Sequence, residues 1–273
     1  MKKKETPFSS GDHHRAPWAG LTFVVSLAAL FVALYPYPKE PEAQLPPPPP
    51  LAVTLSDTLP DFSIIPIVSE KKEAFFAFMM PLIEAENNAI LARRQRLNQL
   101  HTSEAYAPSE YAWLEELAAA YKVDPFSPDS PEDREALRTR VDMVPLSLAM
   151  AQAANESAWG TSRFAREGNN LFGQWVYGKG KGMVPKNRTK GASHEVARFD
   201  NVADSVRSYL HNLNTLWAYE PLRELRREQR DQGHEPNGEA LALGLERYSS
   251  RGEAYIREIQ QLIRMNAHLL SKR

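Results

Sequence analysis

The chain has 273 residues, with Lys+Arg 33 against Asp+Glu 34 for a formal charge of -1, 42% hydrophobic and 25% charged residues, 21 Pro and no Cys. That balance excludes whole-chain disorder and gives no basic excess for a nucleic-acid partner, while a mean hydropathy of -0.48 excludes a polytopic membrane protein. The missing cysteines exclude thiolate nucleophiles, Cys-ligated zinc and a disulfide scaffold, and leave the redox compartment open.

The first element faces a membrane. Residues Trp18 to Leu34, WAGLTFVVSLAALFVAL, carry no charge, and a bilayer-spanning helix needs roughly 17 to 25 such residues. Trp18 stands at one end and Tyr35 and Tyr37 at the other, where interfacial aromatics belong. Lys2, Lys3, Lys4 and Arg15 outweigh Glu5 and Asp12 before the run, which predicts a cytoplasmic N-terminus at 1–17. We read 18–35 as a signal anchor in the inner membrane with the remaining chain in the periplasm. A cleaved signal leading to a soluble periplasmic protein is the alternative, although Ala33-Leu34-Tyr35 ends wrongly for a small-x-small cleavage site.

The stretch YPYPKEPEAQLPPPPP follows. Proline fixes φ and lacks an N–H, so this run belongs to no helix or sheet interior. As polyproline II, Pro36 to Pro50 spans on the order of 45 Å, and residues 36–68 are read as a spacer.

From Ser69 onward, helices are predicted. Phe75, Phe76, Met79, Leu82, Ile83, Ile90 and Leu91 recur at steps of three and four, which predicts an amphipathic helix to His101, kinked at Pro81. Within the domain assigned to 69–273, residues 69–108 form a helical extension. Trp113, Leu114, Leu117 and Tyr121 mark a second helix over Glu110–Tyr121, and Ser130-Pro131-Glu132-Asp133 is a start signal for a third. A helix from Pro145 to Glu156 is nearly all apolar. Gly, Lys and β-formers then alternate over Gln174–Phe199, which predicts a small hairpin lobe. Further helices are predicted at Val202–Thr215, Leu222–Gln232, Glu239–Leu245 and Glu253–Leu270, the last with Ile256, Ile259, Leu262, Ile263 and Met265 on its apolar face. Arg223, Arg226, Arg227 and Arg230 read as a solvated basic face.

The chemistry centres on Glu156. Pro145, Ala149, Gln152 and Glu156 share one stripe of their helix. Apolar surroundings and the negative end of the helix both disfavour the anion. A carboxyl protonated near pH 7 is what a general acid needs in order to release a glycosidic oxygen. The competing reading is a surface ion pair with Arg163 or Arg166.

Ala151-Gln152-Ala153-Ala154-Asn155-Glu156-Ser157-Ala158-Trp159-Gly160-Thr161-Ser162 and Asn169-Asn170-Leu171-Phe172-Gly173 resemble the peptidoglycan-cleaving N-acetylglucosaminidase domain, glycoside hydrolase family seventy-three. Ser208-Tyr209-Leu210-His211-Asn212-Leu213-Asn214-Thr215 and Tyr248-Ser249-Ser250-Arg251-Gly252-Glu253-Ala254-Tyr255 resemble the Bax-type proteins of Gram-negative bacteria that carry this domain. Asn155 and Ala158 depart from the aliphatic residue and Gly more usual there, and Arg198-Phe199-Asp200-Asn201 follows the family's FRxY-like segment only loosely.

The resemblance implies a mainly α (α+β), lysozyme-like helical domain with a small β-hairpin lobe, and cleavage of the β-1,4 bond after N-acetylglucosamine in peptidoglycan glycan strands. It implies a second acidic residue in the lobe, for which Glu195 is our choice over Asp200 and Asp204. An inverting water mechanism and substrate-assisted retention through the N-acetyl group both remain open. Tyr248, Trp159, Tyr209, Asn170, Phe172 and Tyr255 are the substrate-binding candidates, since a pyranose face packs flat on aromatic rings. Core packing is the competing role for Trp159 and Tyr255, turn formation for Asn169 and Asn170, and His211 reads as a core histidine. Neither a metal, for lack of ligand spacing among the seven His, nor a cofactor is expected. A silent glycan-binding module and a wall amidase or transglycosylase are the alternative functions.

Overall fold

The structure is a computed structural model that describes residues 58–101, 105–177, 180, 182–185 and 194–270. The expected anchor, the cytoplasmic N-terminus and most of the proline-rich spacer lie outside these residues. Among the described residues no helix is long and apolar enough to cross a membrane.

Helix α1 runs from Val68 to His101 and continues through Pro81. Its three- and four-residue periodicity buries Phe75, Phe76, Met79, Leu82, Ile83, Ile90, Leu97 and Leu100, while Leu91 is only half-buried. The core starts earlier than the periodicity indicates. Phe62, in a single 3-10 turn within the stretch read as spacer, is buried against Phe75 and Phe78 at ring distances of 5.5 and 6.1 Å. Leu59 and Ile65 are partly buried against the same core.

Helix α2 (Pro108–Ala120) buries Leu114, Leu117 and Ala118. Helix α3 (Pro131–Arg140) starts as expected: the Ser130 hydroxyl accepts the Asp133 N–H at 3.1 Å, with Glu132 and Asp133 at the positive end and Arg138 and Arg140 at the negative one. Helix α4 (Leu146–Ser157) is the central rod, with eight of its twelve residues buried. Its alanines let α1 and the C-terminal helix approach closely, and each fully buried Leu or Met in it contributes about 1.5–3 kcal/mol.

After the short α5 (Arg163–Gly168) the chain enters the lobe, which has three strands rather than two. Strand β3 (His194–Ala197) is central and antiparallel to both β1 (Trp175–Tyr177) and β2 (Gly182–Met183). Val196 lies opposite Trp175 on one side and Met183 on the other. Helix α6 (Val202–Thr215) is capped by Asn201, whose side chain accepts the Asp204 N–H; Asp204 therefore serves a helix start.

Helices α7 (Glu220–Asp231), α8 (Gly238–Leu241, continued by a 3-10 turn to Leu245) and α9 (Glu253–Leu270) complete the body. α9 lies along α4 through Ile256 and Ile259, but Met265, expected on the same face, is 58% exposed. The arginine run on α7 departs from expectation. Arg223 and Arg226 are buried and only Arg227 and Arg230 reach the surface. The Arg226 guanidinium donates to the carbonyls of Thr139, Asp142 and Met143 and to Asn214 Oδ1, so it joins α7 to the segment entering α4. The molecule is thus mainly helical with one small antiparallel sheet.

Candidate active site

Glu156 stands one residue from the end of α4, where the chain must leave the core abruptly. Ala158, Trp159 and Gly160 take φ of 49, 58 and 77°, three consecutive left-handed residues. The Ser157 hydroxyl holds this turn together by donating to the Ala153 carbonyl at 2.6 Å and accepting the Gly160 N–H at 2.8 Å. At Gly160 the Phe62 ring leaves no room for a side chain, since a β-carbon would lie 2.6 Å from it. The turn is therefore pinned from both sides, and the Glu156 carboxyl is left half-buried at the rod's end.

α9 supplies its partner. Tyr255, in the first turn of that helix, donates to Glu156 Oε1 at 2.8 Å. Gln152, one turn earlier on α4 and fully buried, donates to the Tyr255 oxygen at 2.9 Å, and Tyr209 of α6 donates to Gln152 Oε1 at 2.6 Å. Two ring pairs back this chain. Tyr255 stacks on Tyr248 at 5.3 Å with an interplanar angle of 8°, and Phe172 stacks on Tyr209 at 3.9 Å and 7°. The Tyr248 hydroxyl donates to the Phe172 carbonyl at 2.8 Å, which links the two pairs. Tyr219, from the 3-10 turn after α6, lies 5.9 Å from the Tyr248 ring.

The electrostatics follow from this wall of neutral groups. Burial pushes the Glu156 carboxyl above its ordinary 4.5, and the hydrogen bonds from Tyr255 and Asn155 pull back only part of the way. The same burial, with the Glu156 charge nearby, raises the Tyr219 phenol to about 12 and lifts Tyr255 as well. These phenols keep their hydrogens in the working pH range and act on Glu156 as neutral groups. Among the described residues neither expected ion pair forms, since Arg163 meets Glu167 at 3.6 Å and Arg166 meets Asp61 at 3.5 Å, while Arg251, which lowers the Glu156 carboxyl slightly, pairs with Glu258. A carboxyl so placed holds its proton more tightly than an ordinary glutamate, which is the direction a general acid needs.

The other candidates divide by place. Tyr248, Tyr255, Tyr209 and Phe172 gather around Glu156, but Tyr255, Tyr209 and Phe172 are buried and form the site's support, which leaves Tyr248 as the half-buried ring. Asn170 is buried too, and organises the turn into β1. Its amide donates to the carbonyls of Gln174 and Ala197, and its oxygen accepts from Gln174 N–H at 3.0 Å. Trp159 turns away from the Glu156 partners and packs on α1, stacked on Phe76 at 5.8 Å with the Lys72 ammonium over its ring. His211 is half-buried with its ring at the edge of Tyr121, and burial pushes its imidazole down.

Glu195 is not an exposed strand charge. It is 3% exposed in the middle of β3, and its two oxygens accept the N–H groups of Gly180 and Gly182 at 3.0 and 2.8 Å. Its carboxylate thereby ties together the connection between β1 and β2. Two residues of the site escaped the sequence reading. Gln152 was visible only as a polar interruption of an apolar helix, four residues before Glu156, and Tyr219 sits in a turn too short for any periodicity.

The glucosaminidase family, described as mannosyl-glycoprotein endo-beta-N-acetylglucosaminidase, matches residues 132–268, which contain every partner of Glu156 named above. The chain is 34% identical over 216 residues to protein bax of Escherichia coli strain K12, covering 79% of this chain and 77% of that one. The chain belongs to the glucosaminidase family. No solved structure matches it. Membership of this family of Bax-type proteins gives the Glu156 carboxyl a chemical context, that of a glycan-cleaving hydrolase.

Proposed function

We propose that this protein is an exported peptidoglycan hydrolase that cleaves the β-1,4 bond after N-acetylglucosamine, with Glu156 as the general acid. The observation that carries the reading is a half-buried carboxyl at a helix end, held by a phenol rather than a guanidinium. Tyr248 offers the aromatic surface on that side, with the buried Tyr255 ring stacked behind it, and a sugar face packs well against such a ring.

For the second half of the reaction, participation of the substrate's own N-acetyl group is the better supported course. A base that activates water must reach it, and Glu195 is 3% exposed with two backbone N–H bonds that stabilise its anion and make it a weaker base. Glu195 then acts by shaping the lobe over the glycan. The apolar run Trp18–Leu34 anchors the chain in the inner membrane in this proposal, with the domain in the periplasm; N-terminal sequencing of the mature protein distinguishes an anchor from a cleaved signal.

The test uses the full chain on purified peptidoglycan, with mass spectrometry of the products. Expected are new reducing ends at N-acetylglucosamine, and a loss of about 10²–10⁴-fold in rate for Glu156→Gln, the usual share of a general acid. Binding to wall material without new reducing ends, equal in both proteins, identifies a glycan-binding module instead. Anhydro products identify a transglycosylase, released stem peptides an amidase, and undiminished cleavage by Glu156→Gln removes Glu156 from the mechanism.

A further inference from the structure

The chain of hydrogen bonds behind Glu156 has a direction, which follows from the hydrogens each group owns. Tyr209 is 2% exposed, and its hydroxyl lies 2.6 Å from Gln152 Oε1. A buried hydroxyl hydrogen without an acceptor is costly, so Tyr209 donates and holds the Gln152 carboxamide with its nitrogen toward α9. Nε2 then donates to the Tyr255 oxygen at 2.9 Å. A phenol owns one hydrogen. With the Tyr255 oxygen already accepting, that hydrogen goes to Glu156 Oε1 at 2.8 Å.

The two oxygens of Glu156 are thereby unequal. Of the hydrogen bonds on this carboxyl, the one from Tyr255 is fixed on Oε1, which favours Oε2 as the seat of the carboxyl's own hydrogen. That oxygen faces Gly173, which has φ +63°, and a β-carbon there would lie 3.2 Å from Oε2. The missing side chain keeps the approach to Oε2 open. We propose that Gln152 is a positioning residue: by aiming the Tyr255 hydrogen at Oε1, it places the acid proton of Glu156 on Oε2, beside Gly173, for delivery to the leaving oxygen. This rests on the reading of Glu156 as general acid.

The step balances. The proton passes from Oε2 to the glycosidic oxygen as the bond from that oxygen to the anomeric carbon breaks, and the bonding pair stays with the oxygen. Glu156 is left as a carboxylate, which the Tyr255 hydrogen bond stabilises. The charge developing at the anomeric carbon is met by the N-acetyl oxygen. Aiming that one hydrogen therefore does two things: it frees Oε2 to react, and it keeps the carboxyl acidic enough to give its proton up.

The test follows the titration of Glu156 itself in the full chain, using carbon-13 in the glutamate side chains, with the Glu156 signal identified by its loss in Glu156→Gln. Two variants redirect the Tyr255 hydrogen without touching Glu156. Gln152→Glu accepts from both phenols and turns that hydrogen away, and Tyr209→Phe frees the carboxamide to rotate and capture it. Losing a hydrogen bond to a charged group raises the titration point by about one pH unit, more in Gln152→Glu than in Tyr209→Phe. The high-pH limb of kcat/KM on glycan rises with it, because activity falls where the acid loses its proton.

Because Gln152→Glu also adds an acidic group one turn from Glu156, the decision rests on Tyr209→Phe: a merely structural Gln152 leaves the titration and the limb in place in that variant, and that result overturns the proposal. If Gln152→Glu does not fold, Tyr209→Phe decides alone, since the hydroxyl it removes bonds to Gln152 and leaves Gln152, Tyr255 and Glu156 unchanged. A shifted titration in a chain that never cleaves glycan supports the aim of the hydrogen and refutes the general-acid reading.

Discussion

Helix α4 has an acid near each end, one buried and one half-buried, that the protein treats in opposite ways. Asp142, just before its N-terminus, is 2% exposed and is met by the guanidiniums of Arg230, Arg94 and Arg226 at 3.1, 3.5 and 4.0 Å. Glu156, at its C-terminus, is met by the Tyr255 phenol and lies against further tyrosines. The helix dipole widens the contrast, because its negative end repels the Glu156 anion while its positive end suits Asp142. Burial alone therefore does not make a reactive carboxyl. What separates the two ends is the contacting partner: three guanidiniums meet Asp142, whereas a phenol meets Glu156 and Arg251 acts on it only from beyond contact. One acid therefore holds helices together, and the other holds its proton more tightly than an ordinary glutamate.

The largest effect expected from breaking this contrast is at Asp142. Asp142→Asn keeps the shape and removes the charge, leaving three guanidiniums crowded together, one of them, Arg226, already pushed down to about 10 by burial. Removing one partner from a buried charge cluster costs about 3–5 kcal/mol, read as a lowered midpoint in urea unfolding. A variant within about 1 kcal/mol of wild type means the arginines repack without their acid, and the two ends of α4 are less different than they look.

Glu156→Gln moves stability the other way. An acid whose folded pKa is raised binds its proton more tightly in the native state, so stability falls as pH climbs from the ordinary 4.5 through the folded value, and the full penalty stands above it. The glutamine variant has no such penalty. We expect it to be more stable than wild type at pH 7 by about 0.5–2 kcal/mol, the usual return for neutralising a strained functional group. The difference should shrink toward zero as unfolding is measured down to pH 4. A pH-independent difference assigns the gain to packing instead.

The parts of this arrangement that were legible in the sequence are the local ones. The Ser130 cap, the periodic face of α1 and the apolar run that ends in Glu156 each follow from neighbours within a turn or two, where spacing is informative. The illegible parts depend on partners far away along the chain. Gln152 and Tyr255 are 103 residues apart, and Arg226 finds the Asp142 carbonyl 84 residues back, so a basic run on α7 reads as solvated until those carbonyls are in view. Phe62 sits in one isolated turn, where no period exists to be read. The lobe was recognisable from its β-formers, but its third strand was not, because a two-residue strand such as Gly182–Met183 exists only through its pairing with β3.

The smallest predicted effect gives the contrast its control. Arg227 follows Arg226 on the same helix and is also paired, with Glu224 at 2.7 Å and Asp231 at 3.0 Å. Both pairs are solvent-exposed and local to one helix face, so water competes for each charge and the side chains lose entropy in meeting. Such pairs contribute about 0.3–0.5 kcal/mol each, and less at high salt. Arg227→Ala should therefore lower stability by no more than about 1 kcal/mol for the two pairs together, with the loss fading in 1 M salt. A loss approaching that of Asp142→Asn means that charge at any depth on α7 supports the fold, and burial of the counterions no longer explains why Asp142 is structural and Glu156 is not.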